Sequence, residues 1–472
     1  MKVLFLTSEL SGYVKAGGLA DVSAALPKAL RGRGQDVRIL MPFYGPGPEW
    51  QPSLEVVARL DGIAGIPPCM LASGATPSGD PAWFVICPQL YERRGTPYTD
   101  SSNQDWPDND VRFARLAFAA VQLIGGDANC EWRPDVVHAN DWPSALIAGY
   151  RAWRGLHPPC LFTIHNLAYQ GLFDAARLSA LAIPFAAFSM NGIEFHGRLS
   201  FMKAGVFYAD HVTTVSPNYA REITTEAFGS GLQGLLGGLA AAGKLTGILN
   251  GIGDDWAPEC DAKLVENYPP QVLAGKKRNA DWLRDAAGLA DEDRPLFVMV
   301  SRLVHQKGVD LVLSVVETVV SGGGQFFLLG NGDPELERAA RNTVAQFDGA
   351  AAVTIAFDDQ LSRRAVAGSD FYLMPSRFEP CGLNQMYAER YGSLPIAHAT
   401  GGLADSIRDG ETGFLFGGAT PEALRAAVIR ALNVYVRPGR LGSMRKRAMA
   451  EDFGWGPAAA RYEGLYNRLL SR

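Results

Sequence analysis

Residues 370–385 read Asp370-Phe-Tyr-Leu-Met-Pro-Ser-Arg-Phe-Glu-Pro-Cys-Gly-Leu-Asn-Gln385. Asp370 to Met374 is a short apolar run of strand type that Pro375 ends, and Leu383 to Tyr391 resumes with helical spacing. Glu379 therefore lies in a strand-to-helix loop. In open parallel α/β sheets such loops gather at the carboxyl ends of the strands, where ligands bind, and Gly382 lets the amides of the coming helix approach a ligand closely. The competing interpretation makes Glu379 a helix-capping acid, because carboxylates favour helix N-termini.

Working outward, the same strand, loop and helix unit recurs along the chain. Strands are expected at Val3 to Thr7, Asp36 to Met41, Ala82 to Cys87, Val136 to Ala139, Leu161 to Ile164, His211 to Val215 and Leu245 to Leu249. The second half restarts with Leu296 to Val300, Phe326 to Leu329, Val353 to Ala356, Phe371 to Met374 and Leu394 to Ala397. Helical stretches, Asn109 to Ile124 the clearest, alternate with them, which implies α/β architecture with parallel sheets wrapped in helices. The pattern predicts two domains, 1–249 and 250–455, with a last helix of about 456–472 crossing back to the first. Tyr44 to Pro81, rich in Gly and Pro, is expected to be a loop or hairpin excursion. Gly229 to Gly243, with six glycines and no charge, reads as a mobile loop or a glycine-loosened helix.

A hydrophobic content of 47% with 20% charged residues describes a globular protein, and the net charge of −5 offers no basic field for nucleic acid or for a membrane surface. The six cysteines form no Cys-x-x-Cys pair, so neither a zinc site nor a disulfide framework is expected and a cytoplasmic location is. No stretch reads as a signal peptide or membrane span.

Ser11 to Gly18 is a glycine-rich loop feeding a helix from Leu19, yet it fits neither the dinucleotide-binding nor the P-loop glycine pattern. Lys15 before the paired Gly17 and Gly18 suits a phosphate, which fixed N–H dipoles and a point charge would hold, although a surface lysine beside a tight turn is the alternative. Two polar clusters follow strand ends: His138-Ala-Asn-Asp-Trp142 and Thr163-Ile-His-Asn-Leu167. Carboxylate, imidazole and an aromatic ring together are what sugar binding uses, whereas a lone strand-end histidine is more often a core residue. Arg302 and Lys307 flank one loop at a spacing that lets two cations converge on a diphosphate. The pentapeptide Gly-Gly-Leu-Ala-Asp occurs at Gly17 to Asp21 and again at Gly401 to Asp405; because the copies follow different strands, it reads as convergence on one way of starting a helix.

Lys15 to Asp21, His165-Asn-Leu-Ala-Tyr-Gln-Gly171, Leu249-Asn-Gly251, Arg302 to Gly308 and Glu379-Pro-Cys-Gly-Leu383, in this order over nearly the whole chain, resemble bacterial glycogen synthases and plant starch synthases. The resemblance implies two Rossmann-like domains facing across a deep cleft, the GT-B architecture. It also implies a retaining transfer of glucose from ADP-glucose to the non-reducing 4-hydroxyl of a glycogen or other α-1,4-glucan acceptor, with no cofactor and no metal. Carried over residue by residue, it implies catalytic roles for Lys15, His165, Arg302, Lys307 and Glu379. It implies substrate contacts for Gly17, Gly18, Asp21, Tyr98, Asp141, Trp142, Asn166, Asn250, Cys381, Gly382 and Leu383, with Phe357 where the family often stacks a tyrosine on adenine. Gly253, His305 and Asn384 depart from the family pattern, where acids and a Thr or Ser are frequent. A decayed scaffold should have lost Lys15 or Glu379, and a phosphorylase would carry a pyridoxal absorbance band.

Overall fold

The computed structural model describes residues 1–47, 50–128 and 130–471; Pro48 and Glu49 of the predicted excursion and Arg472 at the end of the predicted last helix lie outside the described residues. The chain forms two compact units, one of Met1–Gly251 with Trp455–Arg472 and one of Ile252–Gly454.

The first unit contains β1 (Lys2–Leu6), β2 (Asp36–Pro42), β3 (Glu55–Leu60), β4 (Cys69–Ala75), β5 (Pro81–Ile86), β6 (Val136–Asn140), β7 (Cys160–Ile164), β8 (Leu172–Asp174), β9 (Glu194–Phe195), β10 (Arg198–Ser200), β11 (His211–Thr214) and β12 (Leu245–Gly247). Nine of them form one sheet in the order β12-β11-β7-β6-β1-β2-β5-β4-β3. β6 and β7 are buried at every position, as strands covered on both faces must be. The predicted excursion is a hairpin: β3 and β4 pair antiparallel and extend the sheet beyond β5, with a register shift between Val56 and Ala58. The small sheet β8-β10-β9 was not anticipated, because strands of two and three residues carry no readable period. Gln233–Ala241 is helical, the second of the two options for the glycine-rich stretch.

The helix Trp455–Leu470 belongs to this unit. Its apolar residues recur at helical spacing, and Ala458, Tyr462, Leu465 and Tyr466 pack with Val3, Phe5, Leu26 and Ile39. A polar relay fixes its register: the Tyr466 hydroxyl lies 2.7 Å from Nδ1 of His138, and Nε2 of His138 lies 2.7 Å from Oγ1 of Thr163. His138 is fully buried, and burial pushes its pKa down to about 3, so it stays neutral. It is therefore a core residue, and its place in a predicted ligand-facing cluster is corrected.

The second unit is built on β13 (Leu296–Val300), β14 (Gln325–Leu329), β15 (Ala351–Thr354), β16 (Phe371–Met374), β17 (Leu394–His398) and β18 (Phe414–Phe416), ordered β15-β14-β13-β16-β17-β18 with every pair parallel. β15 starts and ends two residues before its expected position, because Asp358 caps the helix Asp359–Gly368 by accepting from Leu361 N at 2.8 Å and the chain must leave the sheet first. In chain order this is the doubly wound arrangement, in which the connections of the first half pack on one face (Val309, Val316, Ala340) and those after β15 on the other (Ala365, Ala388, Leu403), and a crevice opens at the carboxyl ends of the first and fourth strands. That point lies between β13 and β16. In the first unit the equivalent reversal falls between β1 and β6.

Tyr466→Phe, which leaves His138 Nδ1 without its partner, should cost about 2 kcal/mol of unfolding free energy, the scale of one orphaned buried polar atom, as read by urea denaturation.

Candidate active site

In the second unit, the loop after β13 carries Arg302 and Lys307, and the loop after β16 carries Ser376 and Glu379. The two loops are pressed together. Gly308 has a φ of +68°, and a Cβ there would lie 2.3 Å from the Pro375 carbonyl oxygen; Gly401, after the neighbouring β17 and at +44°, would put a Cβ 1.9 Å from the Glu379 carbonyl, so a third loop backs the second. Only glycine tolerates both the backbone and the approach. Across this seam Lys307 Nζ meets Glu379 Oε2 at 2.5 Å, and Ser376 Oγ donates to the same oxygen at 3.0 Å. Glu379 is thus a buried, paired carboxylate facing the neighbouring loop. A second clamp, missed in the sequence, runs outside it: the Arg377 guanidinium binds both oxygens of Asp310 at 2.8 and 2.7 Å and donates to the His305 carbonyl at 2.7 Å. That bidentate bond holds the Asp310 carboxyl below its ordinary pKa.

Arg302 differs from Lys307. Its guanidinium is exposed and makes no ion pair or hydrogen bond to a described residue. Phe357, just past β15, is 88% exposed, so its ring face is open to stacking. The carbonyls of Cys381 and Gly382 accept from Gln385 Nε2 at 3.1 and 3.0 Å, which closes the turn before Leu383 and the helix Asn384–Arg390. Asn384, one of the departures, donates to the Val300 carbonyl and to the Tyr372 hydroxyl, both at 3.0 Å, and so ties that helix to the end of β13. At Gly253, another departure, a Cβ would lie 2.4 Å from Asp255 Oδ1.

In the first unit, Lys15 Nζ reaches both oxygens of Asp21 at 2.7 and 2.8 Å, and Ser11 Oγ donates to the same carboxylate at 2.8 Å. The Lys15 side chain is 51% exposed, so this ion pair is worth at most ~1 kcal/mol and yields readily to a competing anion. The expectation that the glycine-loop amides are free for phosphate is corrected. Glu9 Oε2 already accepts from Ala16 N at 2.6 Å and Gly17 N at 2.7 Å, and its Oε1 accepts from the Tyr98 hydroxyl at 2.6 Å. Gly18 precedes the helix Leu19–Gly32 and supplies no side-chain cap. Tyr98 also lies 2.8 Å from Ser8 Oγ, so its hydroxyl is committed to the protein; its ring neighbours Trp142, which packs edge-on to Phe113 at 4.8 Å. Glu9 was missed, and its only sequence signal is its place just past β1.

Asp141 follows β6 with a positive φ of 56°, and its Oδ1 accepts from the amides of His165 at 2.9 Å and Asn166 at 3.3 Å. Asn166 Oδ1 in turn caps the Ala168 amide at 3.1 Å. Burial, together with the nearby negative charge of Glu9, pushes the Asp141 pKa up to about 7 despite those two hydrogen bonds. His165 sits 3.0 Å from Asn140 Oδ1 through Nε2, and burial pushes its pKa down to about 3. Asn250 is buried, and its Oδ1 has no hydrogen-bond partner among the described residues, an uncommon state for a buried acceptor. Each rim therefore offers a different chemistry: cations around a carboxylate in the second unit, and buried hydrogen-bonding groups with one half-exposed cation in the first.

Residues 2–238 match the family described as starch synthase catalytic domain, and residues 282–448 match glycosyl transferases group 1. The chain is 49% identical over 471 residues to a glycogen synthase of Pseudomonas syringae, covering 100% of this chain and 97% of that one. It is 49% identical over 462 residues to glycogen synthase 1 of Bradyrhizobium diazoefficiens, covering 98% and 100%. Its fold matches the catalytic domain of starch synthase IV from Arabidopsis thaliana, solved with ADP and acarbose, at a TM-score of 0.88 and 32% identity, covering 100% of this chain and 99% of that one.

A carboxyl whose folded pKa stands above its unfolded value of about 4 binds its proton more tightly when folded, so its stabilising share is full below pH ~4 and is lost as pH rises through ~7. Asp141→Asn keeps the acceptor oxygen and suits the positive φ. At pH ~8 it should be more stable than the parent chain by on the order of 2 kcal/mol, and the gap should close below pH ~4; urea melts at the two pH values measure it.

Proposed function

The chain belongs to the glycogen and starch synthase family, and on that premise we infer that it is a retaining glucosyltransferase of the GT-B architecture. It moves glucose from ADP-glucose to the non-reducing 4-hydroxyl of an α-1,4-glucan and releases ADP. A cytoplasmic location fits its six cysteines, all free thiols, and no described helix is long and apolar enough to cross a membrane.

The observation that carries the mechanism is the Lys307–Glu379 contact, on a loop that also carries Arg302, which pairs with no described residue. An ammonium has three N–H donors, and Glu379 uses one, so two remain for oxygens of the departing diphosphate. Arg302 brings a second, bidentate cation to the same leaving group. As the glycosidic bond breaks, negative charge grows on the ADP oxygens and positive charge on the sugar. Cations fixed beforehand stabilise that separation more than they stabilise the bound donor, and so they lower the barrier. Glu379, held by Lys307 and Ser376, orients the glucosyl ring and stabilises its positive character. Lys15 exchanges its exposed Asp21 partner for the donor phosphate. Asp141, His165 and Asn250 take the glucosyl hydroxyls, Trp142 and Tyr98 wall the acceptor side, and Phe357 stacks on adenine.

Retention requires no protein nucleophile in this scheme. The acceptor hydroxyl attacks on the face the ADP leaves, and the leaving phosphate takes its proton. Catalysis thus rests on positioning and charge, not on the carboxylate pair that retaining glycosidases use.

Lys307→Ala should lower turnover at least ~100-fold, the scale of one lost charge-stabilising group, in an assay that offers ADP-glucose or UDP-glucose with glycogen and follows nucleotide release and chain growth. Near-normal turnover would refute the role. Arg377→Ala, which touches neither proposed ligand, should loosen the Lys307 loop and lower kcat by about tenfold with little change in melting temperature.

A further inference from the structure

We propose that Asn140 is a positioning residue that fixes His165 in a single tautomer, proton on Nε2 and lone pair on Nδ1, so that His165 meets the glucosyl donor as a hydrogen-bond acceptor. The proposal rests on the transferase function above for the identity of the ligand, but not for the tautomer itself.

Asn140 is the last residue of β6, next to β1 in the sheet, and is fully buried. Its side-chain nitrogen lies 2.9 Å from the Leu6 carbonyl oxygen. A backbone carbonyl only accepts, so the end of the amide that faces Leu6 must be the NH2; the reversed amide would set two oxygens against each other in a dry site. Its Oδ1 is thereby aimed at His165 Nε2, 3.0 Å away. An amide oxygen cannot donate, so Nε2 carries the hydrogen, and in a neutral imidazole Nδ1 is then bare. Nδ1 makes no hydrogen bond to a described residue, and no donor among the described residues competes for its lone pair.

The groups that face the ring keep this state. Asp141 spends Oδ1 on the backbone amides of His165 and Asn166, and fully buried His138 stays neutral between Tyr466 and Thr163. Burial holds His165 itself well below the range in which it would gain a second proton. A ligand group that binds Nδ1 must therefore supply the hydrogen. A sugar hydroxyl does so, and keeps its own lone pairs for a donor elsewhere.

The test uses the full chain labelled with 15N-histidine, with the His165 signals identified by their loss in His165→Gln. The expected spectrum has a bare Nδ1 and a protonated Nε2 throughout about pH 6 to 8, the window in which an ordinary imidazole titrates; ionisation of Asp141 near pH 7 shifts the signals slightly but leaves the ring proton in place. A proton on Nδ1, averaging of two tautomers, or titration in that window would overturn the proposal. Asn140→Leu keeps the volume but removes the oxygen that holds the Nε2 hydrogen, so the His165 signals of that variant should average between the two tautomers. A variant whose tautomer stays fixed as in the parent would mean that Asn140 does not set it, against the proposal. Should Asn140→Leu fail to fold, the parent spectrum still decides. That spectrum needs no substrate, so a chain with the expected tautomer but no glucosyl transfer would sink the proposed function and leave the tautomer standing.

Discussion

The contact between Lys307 and Glu379 depends on strand order before it depends on either residue. The two lie 72 positions apart in sequence. They meet because β13 and β16 are neighbours at the place where the sheet reverses its winding, so the loops that leave them have no helix between them. Gly308 then allows these two loops a closeness that any side chain would forbid, and Gly401, after β17, lets a third loop press on the Glu379 backbone from behind. Take away the neighbouring strands or the two glycines, and the carboxylate would face solvent as an ordinary helix-capping acid.

Charge is handled in the same way at both rims. Lys15 is stored on Asp21 and Lys307 on Glu379, while the glycine-loop amides are stored on Glu9. Storage is graded by exposure: the half-exposed Lys15 pair is cheap to open, whereas the Lys307 pair sits deeper and holds its geometry. Arg302 stands outside this arrangement as the cation with no described partner. A site that handles a strong anion gains from such pairing, because cations left bare and close together would repel one another and splay the loops that carry them.

Strands were legible because apolar runs bounded by turn residues report burial on two faces, and most of their expected ends lie within a residue or two of those found. Glu379 was legible as a loop carboxylate for the same local reason. What the sequence hid was distance. Nothing near His138 says that Tyr466 will reach it across 328 positions and make it a core group, while His165, in a similar setting after the next strand, stays at the rim. Glu9 was hidden because its partners, the Ala16 and Gly17 amides and the Tyr98 hydroxyl, converge only after the loop has folded back. Arg377 and Asp310 look like two solvated charges until the loops are joined. Pairing between loops follows from topology, and a periodic pattern carries no topology.

The helix Trp455–Leu470 supplies part of the core beneath β1 and β2, although the ribosome makes it only after the whole of the second unit. The first unit therefore cannot close until the second has been synthesised, even though its first 251 residues emerge early. Its β1 and β2 face must wait, with Val3, Phe5 and Ile39 uncovered, until the whole of the inserted second unit has followed. During that interval the nascent chain presents apolar surface that a chaperone can hold, and a truncation of only the final helix would leave that surface open for good.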